Sequence, residues 1–170
     1  LILSFPKSNA GFAVLTKSET REALLEGLIT IFAFIGSVPT TIWFDQMSSA
    51  ALRTRDEKGI VQVAGFVQRF ATHYGFAIKF CNPESGHEKG NVERKVGTIR
   101  RNLFVPEPEI TNLEAYNNDL LEKCQTLNKE NHYIHKIPKE QIFEEEKVMM
   151  VPMNTAPFDT AKYESRKVNK

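Results

Sequence analysis

Two cysteines, a single tryptophan and no excess of either charge set the first limits on this chain of 170 residues. Cys81 and Cys124 lie far apart, one closing an apolar strand-like run and one on a helix stripe. No disulfide framework is expected, and both read as small buried hydrophobes. The four histidines, His73, His87, His132 and His135, form no zinc-ligand spacing with them. Apolar runs stop well short of a bilayer span, so no membrane role is expected and a reducing, intracellular setting is. With 22 basic against 21 acidic residues, net charge gives no reason to expect nucleic acid, and only local clustering can. The composition, 41% hydrophobic and 25% charged, suits one globular domain with a tail. There is no internal repeat and no low-complexity segment.

One local cluster exists. From His87 to Val105 five Lys or Arg stand against two Glu, in the run Glu88-Lys89-Gly90-Asn91-Val92-Glu93-Arg94-Lys95 that continues to Arg100 and Arg101. Val92, Val96, Ile99 and Leu103 fall on one narrow helical stripe, which predicts a helix docked on a sheet. Glu93 belongs at the margin of that stripe with Lys89 and Arg100, and Arg94 and Arg101 on the solvent side. A solvated helix face is the alternative reading of such a run.

The remaining pattern is strand, strand, helix, strand, helix, strand, helix. Leu1–Phe5 and Phe12–Leu15 read as a hairpin around Pro6–Gly11. Thr16 with Glu19 fits a capping box for a helix carrying Leu24, Leu28, Ile31, Phe32 and Ile35 and stopped by Gly36. Thr40–Phe44 is a β-branched and aromatic strand ending on Asp45. Gln46 to Gly59 reads as a loop with a helical turn. Val63, Phe66, Val67, Phe70, Ala71 and Tyr74 predict a second helix closed by Gly75, and Phe76–Cys81 the next strand. After the basic helix, which ends near Pro106 and Pro108, Thr111 with Glu114 marks another capping box. It opens a helix with Leu113, Tyr116, Leu120, Cys124 and Leu127 on one face. A short helix from Pro138 carries Ile142 and Phe143. From Val148 the prolines predict an irregular linker. The opening residues, without an initiator Met and already strand-like, suit a piece cut from a longer chain.

Asp45 ends one strand and Glu93 follows the next, so both can gather at the carboxyl edge of a mixed sheet, where α/β folds place their sites. Two hard carboxylates suit Mg²⁺ or Mn²⁺, with the basic flank on phosphates. By spacing alone, Asp45 is equally a strand-end turn residue and Glu93 an i to i+4 partner of Lys89.

The string Lys89-Gly90-Asn91-Val92-Glu93-Arg94, following Trp43-Phe44-Asp45 and Arg69-Phe70-Ala71-Thr72-His73-Tyr74-Gly75-Phe76, resembles the integrase-like core of IstA-type bacterial insertion-sequence transposases. Gly36-Ser37-Val38-Pro39 before the Asp45 strand and the stretch from Leu113 to Pro138 follow that family's order of segments. The resemblance implies an α/β, RNase H-like mixed sheet flanked by helices, with residues 1–108 an incomplete catalytic core, 109–147 its carboxyl-terminal helices and 148–170 a linker towards an absent β-barrel. It implies a DDE triad binding two Mg²⁺ (or Mn²⁺) ions, in which Asp45 matches the second acid and Glu93 the third. Gln46 stands where the family has Asn. No acid in residues 1–12 matches the first Asp, whose strand belongs between the first hairpin strand and the Asp45 strand. A vacant slot, a swapped strand or a sheet closed around the gap is therefore expected, with no strand transfer by this chain alone. Implied partners are DNA, held through its backbone by Lys89, Arg94, Lys95, Arg100 and Arg101 and released by salt, an AAA+ ATP-binding helper and further copies of the transposase on paired ends. The implied location is the cytoplasm, at the nucleoid. A non-catalytic remnant of the fold and an RNase H-like nuclease are the rival readings.

Overall fold

The amino-terminal alternation forms the expected hairpin, with β1 (Ile2–Phe5) antiparallel to β2 (Ala10–Ala13), Leu3 opposite Phe12 and Phe5 opposite Ala10. The structure, a computed structural model, describes residues 1–45, 52–55, 61–81, 86–106 and 108–161, with the backbone alone at 54–55, 61 and 86–94. Asn9 turns the hairpin in the left-handed region at φ 56°, and the buried Ser8 hydroxyl accepts a hydrogen bond from the Ala10 N–H at 3.2 Å.

Helix α1 (Arg21–Ile35) follows, then the short β3 (Ser37–Val38) and β4 (Thr41–Phe44). Its cap is Thr20, not the expected Thr16. The Thr20 hydroxyl accepts from the Ala23 N–H at 3.3 Å, whereas Thr16 spends its hydroxyl on the Ser18 carbonyl at 3.0 Å. Gly36 closes the helix at φ 70°, a conformation in which a side chain would be strained.

The segment expected to be a loop carries a strand, β5 (Arg53–Arg55), paired antiparallel with β6 (Val61–Val63); residues 46–51 and 56–60 lie outside the described residues. Val63, read as helical, is therefore on β6, and α2 (Gly65–Tyr74) starts after it. Periodicity misled here because Val63 also continues the 3.6-residue stripe of α2. β7 (Ala77–Phe80) then lies parallel to β4, with α2 in the crossover, and α3 (Gly86–Leu103), α4 (Leu113–Asn128) and α5 (Lys139–Lys147) complete the helices among the described residues. The cap of α4 is Asn112, whose carbonyl oxygen accepts from the Ala115 N–H at 3.0 Å, in place of the expected Thr111.

The expected linker is packed over 148–161. β8 (Val151–Pro152) pairs antiparallel with β3. Phe158 lies edge-on to Phe70 at 5.2 Å, and His73 meets the Ala156 carbonyl at 2.9 Å. Its prolines forbid a helix but not a short edge pairing. Residues 162–170 lie outside the described residues.

Strand pairing departs from the single mixed sheet expected. Among the described residues the strands form four two-stranded sheets, β1-β2, β3-β8, β4-β7 and β5-β6. Two hydrophobic cores result. One gathers Phe5, Phe12, Ile99, Leu120, Leu121, Cys124 and Phe143 around the hairpin. The other gathers Ile42, Phe44, Val67, Phe70, Tyr74 and Phe76 around β4 and β7. Helix α1 serves both, with Ile31 and Ile35 in the first and Leu25, Leu28 and Phe32 in the second.

Both edges of the hairpin can be assigned. Leu1 and Val14 exchange hydrogen bonds of 2.8 and 3.0 Å, and bonded pairs alternate in an antiparallel ladder. Gly11, Ala13 and Leu15 therefore direct their backbone groups outward from β2, and Ile2 and Ser4 theirs outward from β1. On the β2 side α4 supplies the partners. Asn128 accepts from the Gly11 N–H at 3.1 Å and donates to its carbonyl at 3.2 Å. Asn117 brackets Leu15 in the same way at 2.8 and 2.9 Å, and Cys124 hydrogen-bonds the Ala13 backbone between them. One helix face thus imitates a neighbouring strand.

On the β1 side there is a cleft of about 880 Å³, lined by Leu1, Ile2 and Leu3 on one wall and by Ile42, Trp43, Phe44 and Asp45 on the other.

Replacing Asn128 by Ala leaves the buried Gly11 N–H and carbonyl without partners, and is expected to lower unfolding free energy by roughly 2 to 4 kcal/mol in urea denaturation. Asn117→Ala, at a half-buried position that water can reach, is expected to cost clearly less; equal losses would contradict this account of the clamp.

Candidate functional site

The cleft collects three of the residues singled out in the sequence. Asp45 follows the last residue of β4, at the carboxyl end of a parallel pair, and is exposed on the cleft wall. Arg100 and Arg101, both exposed on the last turns of α3, line the same space with Val96. The stripe that docks this helix is present: Ile99 is buried in the hairpin core, with Leu103 packed against it. A carboxylate and two guanidiniums therefore line one solvent-reachable cleft, together with apolar Leu28, Phe104 and Val105. Such a set can hold a phosphodiester, the guanidinium forks binding phosphate oxygens.

Lys89, Glu93 and Arg94 lie on α3, and their side chains are outside the described residues. Position 93 precedes Arg100 by two helical turns, about 10 Å along the axis, on the line that also carries Val96 and Arg100. Among the described residues no group of three His, Cys, Asp or Glu gathers within metal-binding reach. None of the helices among them is long and apolar enough to cross a membrane.

Lys95 is placed differently from the expectation. It turns inward, its ammonium donating to the Asn9 carbonyl and its stem lying so close over Gly11 that a Cβ there would collide. Burial, with Lys139 adding to it, pushes its pKa down to about 8, against smaller opposing effects of Cys124 and Glu130. Lys95 therefore fastens α3 to the hairpin turn. A glycine two residues after the αL Asn9 was the available signal for a close approach of this kind.

Two features of the site were missed in the sequence. Trp43 is 51% exposed, with the Lys79 ammonium 5.1 Å from its ring, because β4 alternates and only Ile42 and Phe44 face the core. Asn117 and Asn128, which fix the hairpin and hence the opposite cleft wall, are eleven residues apart on the face that carries Leu120 and Cys124, a spacing legible as three helical turns.

Comparison with known proteins then gives this cleft a context. A protein of Aminobacter aminovorans named as a transposase is 35% identical over 108 residues, 63% of this chain and 21% of the relative. Other curated proteins similar to this chain are named as transposases of insertion sequences. The transposase of insertion sequence element IS21 from Pseudomonas aeruginosa is 28% identical over 149 residues, 87% of this chain and 38% of its own length. A Geobacillus stearothermophilus protein, named as a transposase candidate for insertion sequence element IS5376, is 36% identical over 98 residues, 58% of this chain and 24% of the relative. The likeness to IstA-type transposases read from the sequence is thus met among curated proteins over much of the chain. The chain spans between about a fifth and two fifths of the length of these relatives. No protein-family model matches it.

Lys95 gives a pH signature. Its folded pKa is about 8 against an ordinary 10.5, so between these values the unfolded chain binds the extra proton and stability rises with pH. Measured by urea denaturation, the chain is expected to gain stability relative to Lys95→Met as pH rises from about 8 to about 10. A flat difference would show a solvent-exposed lysine.

Proposed function

We propose that this chain is part of the catalytic core of a DDE transposase, with an RNase H-like arrangement in which β2, β1, an intervening strand, β4 and β7 would make one sheet. Asp45 is the second acid of the triad and Glu93 the third. The observation that carries this reading is Asp45 at the carboxyl end of β4, lining one cleft with Arg100 and Arg101, in a chain whose relatives are named as transposases.

The donor chemistry fits a hard divalent cation. Asp45 offers carboxylate oxygens at an exposed strand end, and hard oxygen ligands suit Mg²⁺ or Mn²⁺. Asp45 and Glu93 would hold the ion, and a complete triad two. When bound, the metal supplies charge for the attacking and leaving oxygens of an in-line phosphodiester displacement. The chain's own contribution is positioning. Arg100 and Arg101 hold the DNA backbone by charge and forked hydrogen bonds, with Lys89 and Arg94 extending that contact along α3. The docked Ile99 and the Lys95–Asn9 contact keep α3 in register with the hairpin, so the arginines stay on the cleft that Asp45 also lines. DNA binding of this type weakens steeply with salt. The parent enzyme would act as a multimer on paired ends with an AAA+ ATP-binding helper, by the resemblance read from the sequence.

A chimera tests this reading. The chain is set in place of the matching segment of the Pseudomonas aeruginosa IS21 transposase, and joining of labelled transposon-end DNA is followed with Mg²⁺. Joining is expected, and Asp45→Asn or Glu93→Gln should each lower it roughly 100-fold or more at unchanged folding, while Lys123→Ala, at an exposed position that does not line the cleft, leaves it near the starting level. Joining insensitive to Asp45→Asn, or a folded chimera that does not join, would contradict the assignment. Cleavage without joining would favour the nuclease reading.

A further inference from the structure

Among the described residues three aromatic side chains line the cleft, and only two of them are used for packing. Phe44 is buried in the β4–β7 core and Phe104 packs against the hairpin core, whereas Trp43 belongs to neither core and is 51% exposed. A single exposed apolar side chain is ordinary on a protein surface. What distinguishes Trp43 is where its ring stands and what stands beside it.

The strand geometry sets both. On β4 the Ala77 N–H donates to the Thr40 carbonyl at 2.9 Å and the Cys81 N–H to the Phe44 carbonyl at 3.0 Å, so the even-numbered residues serve β7 and the backbone groups of Trp43 point the other way, towards the cleft. Its side chain stands on the face opposite Ile42 and Phe44, because successive side chains alternate. That alternation runs on past the strand end, buried at 42 and 44 and exposed at 43 and 45. Trp43 and Asp45 are therefore neighbours on one face, about 6.6 Å apart along the chain direction. Lys79, opposite Trp43 in the parallel register, is exposed on that face too, its ammonium 5.1 Å from the ring. Arg100 and Arg101 line the same cleft.

An aromatic face in water, cations around it and a carboxylate one step along the strand make a set that suits a nucleotide. The base takes the ring, and its phosphate takes the cations. A contact made only with the backbone of an intact duplex leaves the indole without a role, since paired bases are stacked on each other and offer it no face.

We infer that Trp43 is a stacking platform for one unpaired nucleobase of the DNA strand, next to the phosphodiester that Asp45 addresses, with Lys79 on that nucleotide's phosphate. The inference rests on the DNA-processing reading above and adds a requirement on the substrate: one nucleotide leaves its stack when the phosphodiester is seated in the cleft. Every base has a π-face, so this contact fixes position and leaves sequence open.

Trp43 is the sole tryptophan of the chain, so its emission reports the contact directly. The 170-residue chain, without metal, is titrated with a short single-stranded oligonucleotide, with a strand of the same length made of abasic sites, and with the duplex. The base-carrying single strand is expected to quench the emission, and the abasic strand and the duplex to bind with little quenching. Trp43→Ala should weaken single-strand binding roughly 5- to 100-fold, Trp43→Phe clearly less, and both should leave duplex binding near its starting level. Equal quenching by the abasic strand, no quenching by the base-carrying one, or an equal loss of single-strand and duplex binding in Trp43→Ala would overturn the inference. The chimera separates this failure from failure of the reading beneath it: joining that still depends on Asp45, without base-dependent quenching, removes the stacking role alone, whereas a folded chimera that does not join removes both.

Discussion

Helix α1 is the element on which the rest of the arrangement depends, because it sends fully buried side chains into both cores. Leu25, Leu28 and Phe32 face the β4–β7 pair and Ile31 and Ile35 face the hairpin. Five large apolar side chains on one helix, each worth about 1.5 to 3 kcal/mol when buried, hold the half-sheets at a fixed separation. Without a shared helix, two unpaired edges with apolar flanks would be free to close on each other or pair with another chain. With it, the cleft persists, and Leu28 forms part of its lining.

The same separation fixes the candidate chemistry. Asp45 is carried by β4 and belongs to one half; Arg100 and Arg101 are carried by α3, which docks on the other half through Ile99. Their common cleft is therefore a property of how the two halves sit across α1. The clamp on β2 matters for the same reason, since Asn117 and Asn128 hold the hairpin that Ile99 and Lys95 use as a base.

Much of this was legible from periodicity. The α1 stripe, the β4 alternation ending on Asp45, the docking face of α3 and the short α5 carrying Ile142 and Phe143 all follow from local pattern, because burial on one face imposes it. What escaped was decided by partners distant in sequence. Val63 satisfies both a helix stripe and a strand, and only pairing with Arg53 chooses. The Pro-rich stretch after Val148 reads as a linker until β3 offers Val38 to Val151. Lys95 counts as a surface cation in any charge tally, yet the hairpin turn takes it inward. The caps moved by one to four residues, since Thr20 and Asn112 compete with nearby Thr16 and Thr111 for the same role.

The central claim is that, among the described residues, no further strand pairs with the cleft-side edges of β1 and β4. Amide hydrogen exchange in the unliganded chain tests it most directly. The ladders predict alternation: Leu3, Ile42 and Phe44, bonded within their pairs, exchange slowly, while Ile2 and Trp43 exchange far faster although they lie on the same strands. Protection of Ile2 and Trp43 equal to that of their neighbours in a monomeric chain would show that the edges are already joined, and would contradict the account.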